Sequence, residues 1–422
     1  MTNLLNLEKT FSLLLALFFL TFFVNLVIDD GVNWSLNYVL LTLFIIFITL
    51  QKKIYISLPI FLTLALPFIS IYIINLFFHN DQISNNHFFD QKLAPDMNNQ
   101  FLYALAFLML PTILLNIKKS ENIFLYIINI GGVFSIIFNG YFNIIYNFDR
   151  ALLVKKFDAI ILYDASIASL SILMLVFNLG KNQKFSNILI VLSLINLFLI
   201  VAHGSRGTWL GIPLILIILS FYYFKSQRSK VLLTLLTSFI LTGVLFFLPN
   251  SPIQKRLNAF QQDTSLIEKN NYHSSTGTRI FLWSYAVDEM LKSPIYGVGA
   301  KKFRDNICEQ QAKGLLPACN PHAHNIFFQF LASNGLVGLL GIISAFLIPL
   351  IFYFYKLFQP STSKSQHLSL MGICFTIFFS ICGLTDFLFF MHFPTMFYFL
   401  ITITLMSLLE MYHLESSKNH VK

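Results

Sequence analysis

Charge is what this chain has least of. Asp, Glu, Lys and Arg make up 11% of its 422 residues against 56% hydrophobic, and a soluble chain of this length could not hide so much apolar surface. Acids are fewer than bases, 19 against 28. The positive excess nevertheless gathers into no basic, aromatic-interleaved patch, which argues against a nucleic-acid surface. Nor is there a His-Glu-x-x-His, a Cys/His cluster at zinc spacing or an Asp-x-Asp pair in the outer connections, so no metal site is expected. No internal repeat and no low-complexity stretch stands out from the general richness in Phe, Ile and Leu.

What is present is a series of apolar runs, near 11–28, 34–50, 54–78, 101–117, 123–146, 159–179, 185–202, 208–224, 231–248, 326–354, 369–390 and 393–411. A membrane crossing takes roughly 20 such residues. Twelve runs predict an all-α polytopic membrane protein with both ends on one side. The first is followed by Asp29-Asp30, with no small-residue cleavage site, and reads as a retained span. With the N-terminus inside, fourteen Lys and Arg fall in the inner connections and five, Lys92, Arg150, Lys155, Lys156 and Arg206, in the short outer ones. That is the bias of cytoplasmic loops. The inner connections are all short and carry no phosphate-cradling glycine loop, so any chemistry belongs to the outer face. Only 250–323 has room there for a folded module. It divides the chain into nine spans in 1–249, the outer segment, and three spans in 324–422.

Within the outer segment short interfacial helices are expected. Thr276 or Thr278 would cap one that carries Arg279, Trp283 and Ala286 on one side, and Pro294 with Gly297 and Gly299 would stop it. Cys308 and Cys319 both lie here, either as a disulfide that pins the approach to His322 and His324 or as two separate thiols. Cys374 and Cys382, inside a span, read as small packing residues.

The tenth span begins at His324-Asn325. Asn325, Gln329 and Ser333 recur every fourth residue and form a polar stripe, which on a spanning helix lines a cavity or a partner helix. At the helix N-terminus the positive end of the dipole opposes a charge on His324, and a neutral imidazole can accept a proton. Spaced by two, His322 and His324 are expected to point apart. Arg206 sits in a glycine-flanked outer turn ahead of another helix start. Paired with Arg279, it offers two planar, always-charged forks suited to a diphosphate. Lys301, Lys302 and Arg304 could add field strength. Asp158, Asp164 and Asp386 are the acids nearest the spans, and Asp164, inside one, reads as a proton or ion site.

Four stretches together resemble the O-antigen ligase and polymerase family of bacterial envelopes. They are Ser205-Arg206-Gly207-Thr208-Trp209, Gly277-Thr278-Arg279 with Trp283, Pro294-Ile295-Tyr296-Gly297-Val298-Gly299, and His322-Ala323-His324-Asn325 followed by Asn334-Gly335-Leu336. The likeness covers about 185–355. It implies a multi-pass protein of the inner membrane, its site facing the periplasm and both termini cytoplasmic. It implies an inverting transfer of glycan from undecaprenyl diphosphate, with no cofactor and no metal. His324 would be the general base and Arg206 and Arg279 the diphosphate grip, with His322, Asn325, Trp283 and Gln329 in support. The compact length and the single large outer segment favour the ligase, whose acceptor is lipid A–core, over a polymerase. A transporter of lipid-linked sugar is the reading from another class, but it would show repeats and several intramembrane charges.

Overall fold

In the computed structural model the described residues are 2–28, 32–50, 53–79, 107–156, 160–181, 184–247, 252–359, 362–390 and 392–420. They form helices α1 (Thr2–Ile28), α2 (Val32–Leu50), α3 (Leu58–Phe78), α4 (Leu110–Asn116), α5 (Ser120–Ile145), α6 (Arg150–Lys156), α7 (Ile160–Leu179), α8 (Ser186–Ala202), α9 (Arg206–Tyr223) and α10 (Arg228–Phe247). Three helices of the outer segment follow, α11 (Pro252–Ile267), α12 (Ser275–Lys292) and α13 (Ala300–Ala312), and then α14 (Ile326–Phe358), α15 (Ser363–Gly383) and α16 (His392–His420). A single 3-10 turn, Leu388–Phe390, joins the last two. Among the described residues eight helices are long and apolar enough to cross a membrane, and the apolar stretches Leu41–Leu50, Ser186–Ala202 and Gly207–Tyr223 are shorter. The protein is an all-helical polytopic membrane protein. Asp158 and residues 101–106 of the fourth expected span lie outside the described residues.

Two helices form the middle of the bundle. Nearly every residue of α7 is buried, and α16 is buried throughout from Phe393 to Glu410. A helix apolar on all sides must be surrounded, by protein or by lipid, and here neighbouring helices do it: α15, α4, α7, α14 and α3 pack against α16. Helix α14 is not the continuous span its sequence promises. At Gly335, with φ of 66°, it breaks into two segments. The carbonyls of Ala332 and Ser333 accept from the N–H groups of Val298 and Gly299, both at 2.9 Å, while Leu336 and Val337 donate to Pro294 and Ile295 at 2.9 and 3.3 Å. The loop after α12 is thus strapped across the break and satisfies its backbone. A Cβ on Gly335 would meet the Ile295 carbonyl oxygen at 2.4 Å, and one on Gly297 would meet the Asn334 nitrogen at 2.4 Å.

The outer helices own a small apolar core, Leu282, Ala286, Phe303, Ile307, Leu316 and Ala323, closed by Ala332 of α14. Ser274, not Thr276 or Thr278, caps α12, its hydroxyl accepting from Gly277 N at 3.0 Å. The threonines have other partners: Thr276 donates through its hydroxyl to Asp263 of α11, and Thr278 to the Tyr272 carbonyl at 3.1 Å. Cys308 and Cys319 are joined as a disulfide that ties the end of α13 to the approach to His322.

Candidate active site

The segment that follows α15, Leu384–Asp386, is where the outer residues meet. Arg279 of α12 donates through Nε to the Thr385 carbonyl at 3.2 Å. Its Nη1 donates to the Ser275 hydroxyl and carbonyl at 3.0 and 3.3 Å, which steers the fork along the first turn of its own helix. Asn325 caps α14 by accepting from Phe327 N and Phe328 N, and its Nδ2 donates to the Leu384 carbonyl at 2.9 Å. His324 faces Asp386, Nδ1 to Oδ1 3.3 Å. The first turn of α9 rests on the same segment, since a Cβ on Gly207 would lie 2.5 Å from the Thr385 hydroxyl and 2.8 Å from Cys382 Cα. The backbone of Arg206 starts that turn, with Ser205 as its N-cap; the Arg206 side chain is outside the described set.

Local conformation explains why two histidines spaced by two do not diverge as expected. His324 has φ of 50°, a left-handed backbone that a non-glycine residue adopts at some cost. It folds the chain back, so the two rings lie edge to face with centroids 4.4 Å apart. His322 Nδ1 accepts from His324 N at 3.2 Å, and its ring meets Phe387 edge-on. The intervening Ala323 is held from both sides: its N–H donates to Gln329 Oε1 at 2.9 Å, and its carbonyl accepts from Trp283 Nε1 at 3.1 Å. Trp283 in turn stacks on Phe328. The Asn325, Gln329 and Ser333 stripe is therefore buried against protein and supports the turn rather than lining a cavity.

Burial lowers the pKa of His322 to about 3, with further lowering from His324 and Arg279 and only partial opposition from Asp386, so this ring is uncharged near neutrality. Burial acts to raise Asp386, but the hydrogen bond and charge of His324, with His322 and Arg279 behind it, prevail and hold the carboxyl at about 2. Asp386 is a carboxylate at any physiological pH. His324 Nε2 lies 3.4 Å from Asn320 Oδ1, and the tautomer with its proton on Nδ1, toward the carboxylate, is the one that leaves Nε2 able to accept a proton. Ligand atoms of His322, His324 and Asp386 lie within 4.8 Å of one another, a spacing a metal ion could bridge. Each of the three side chains already has the protein partners described. A recess of 280 Å³ on the outer module is lined by Asn270–His273, Gly314 and Leu315 and holds none of these groups.

Residues 188–343 match the family model described as O-antigen ligase. Over that segment, somewhat more than a third of its length, the chain is similar to the O-antigen ligase family. Over 201 residues, 46% of this chain and 49% of the other, it is 31% identical to an uncharacterised protein of Haemophilus influenzae. Over 189 residues, 44% and 43% of the two chains, it is 23% identical to an O-antigen ligase of Escherichia coli K12. The chain thus spans about half the length of the curated relatives it matches. The O-antigen ligase segment includes Arg206, Arg279, His322 and His324 but neither Asp164 nor Asp386. Asp386 stands out in sequence only as an acid near a span. Its pairing with His324, 62 residues away, is a product of the fold.

Proposed function

We propose that this protein transfers a glycan from undecaprenyl diphosphate to the lipid A–core acceptor, with inversion, at the periplasmic face of the inner membrane. The observation that carries the reading is the convergence of Arg279, His324 and the first turn of α9 on the segment Leu384–Asp386. An acceptor hydroxyl attacks the anomeric carbon and gives its proton to His324 Nε2. The bond from that carbon to the diphosphate breaks on the opposite face, and the electron pair leaves with undecaprenyl diphosphate. Asp386 orients the imidazole and balances the imidazolium that forms. The guanidiniums of Arg206 and Arg279 take up the charge growing on the leaving group, the part a metal ion plays in other diphosphate chemistry. His322, buried and neutral, supports the turn and contacts the acceptor. The K/R bias supports cytoplasmic termini and a periplasmic 250–323.

His324→Ala and Arg279→Ala are each expected to abolish glycan attachment at unchanged protein level, read as loss of the ladder on a lipopolysaccharide gel. For the base alone the loss is on the order of 10²–10⁴ in rate. A deletion strain should show bare lipid A–core while long glycan accumulates on its carrier. Core bearing a single repeat would instead mark a polymerase, and a full ladder in either variant would remove these residues from the mechanism.

A further inference from the structure

Behind the Arg206 turn lies a polar cluster that the transfer chemistry does not use. Asp164 of α7 is 0% exposed, as is His203, and Ser205 is 1% exposed. One oxygen of the Asp164 carboxylate accepts from His203 Nδ1 at 2.6 Å, and the other accepts from the Ser205 hydroxyl. The serine donates to the acid and not to the imidazole, so this is no nucleophile–base arrangement. What the carboxylate holds is the two sides of one turn. His203 ends α8, Gly204 follows with φ of 77°, and Ser205 is the N-cap of α9.

The grip is braced from elsewhere in the bundle. Asn143 of α5 reaches His203 Nε2 at 3.0 Å, and Arg150 of α6 donates through Nη1 to the His203 carbonyl. Trp209 Nε1 donates back to the Val201 carbonyl at 2.9 Å, closing the turn from the far side. Ser205 would ordinarily cap its own helix. Its side chain makes no cap hydrogen bond; the hydroxyl is turned to Asp164 instead.

From this geometry we infer that Asp164 is a positioning residue: it fixes the His203–Ser205 turn and thereby the place from which Arg206 and the start of α9 meet the diphosphate. The inference rests on the proposed function of Arg206. An acid suits the task because an ionised carboxylate is acceptor-only and can take two donors at once, whereas an amide puts N–H groups on one side.

The test is a double-mutant cycle on the full-length protein in lipid vesicles, with undecaprenyl-diphosphate glycan as donor and lipid A–core as acceptor. Asp164→Asn should lower kcat/KM for the donor by up to about 100-fold, the effect of displacing a binding group by an ångström or so, through donor KM, with acceptor KM unchanged. The double variant with Arg206→Ala should be no worse than Arg206→Ala alone. If the two losses multiply, or both KM values move together, Asp164 serves stability in general and the inference falls. If Arg206→Ala turns over like wild type, the diphosphate role of Arg206 falls first and this inference with it. Should Asp164→Asn fail to accumulate, Ser205→Ala removes the other end of the same hydrogen bond and takes its place in the cycle, read by the same criteria.

Discussion

His324 and Asp386 show most plainly how single residues are set for a task. The left-handed backbone at His324 costs about 1–3 kcal/mol and brings the imidazole to a carboxylate that the fold keeps ionised. Asp386→Asn keeps the shape and an acceptor but removes the countercharge. In a purified transfer assay kcat should fall about 100-fold with donor KM unchanged; a change in KM alone would count against an orienting role. His322 gives a pH signature. Its pKa is lower in the folded protein than the ordinary 6.5, so the unfolded chain binds the extra proton. Stability from this group is complete above pH 6.5 and is lost as pH falls towards about 3. Asp386, also depressed, works in the same direction at lower pH, from 3.8 down to about 2. The thermal midpoint should therefore fall on going from about pH 7 to about pH 5, and His322→Leu should flatten that slope.

Among the elements, the broken helix α14 and its strap decide where the outer module sits. Gly335 and Gly297 both have positive φ and both meet backbone atoms where a Cβ would stand. Alanine at either should destabilise the outer module by at least about 1–3 kcal/mol, seen as faster proteolysis within 250–323 while the membrane helices stay protected. Equal resistance in both variants would mean the strap holds nothing. Helix positions are readable from the apolar runs, because length and hydropathy alone determine which segments can cross a bilayer. The break in α14 is not. The stretches on its two sides, from Ile326 to Leu331 and from Leu336 to Leu340, are both largely apolar, and only the Asn334-Gly335 pair hints at it. The site is half legible. Arg206, Arg279 and the histidines carry recognisable neighbours in sequence, whereas the Thr385 carbonyl and Asp386 join them only through contacts that cross 62 to 106 positions.

For the molecule as a whole, sidedness is the property on which the proposed chemistry depends. Lys302→Cys, exposed on α13, should react with an impermeant maleimide added to spheroplasts, and Lys364→Cys, exposed at the start of α15, should not. The reverse labelling would put the outer segment in the cytosol, out of reach of the proposed acceptor.

The enclosed helix α16 has a consequence for biogenesis. A ribosome delivers it after every helix it packs among. The earlier helices must therefore wait in the bilayer around a slot that lipid fills for the time being. Placing α16 is then an insertion into the centre, and a nascent chain halted before His392 would have its perimeter and α7 in place but an open slot beside α7.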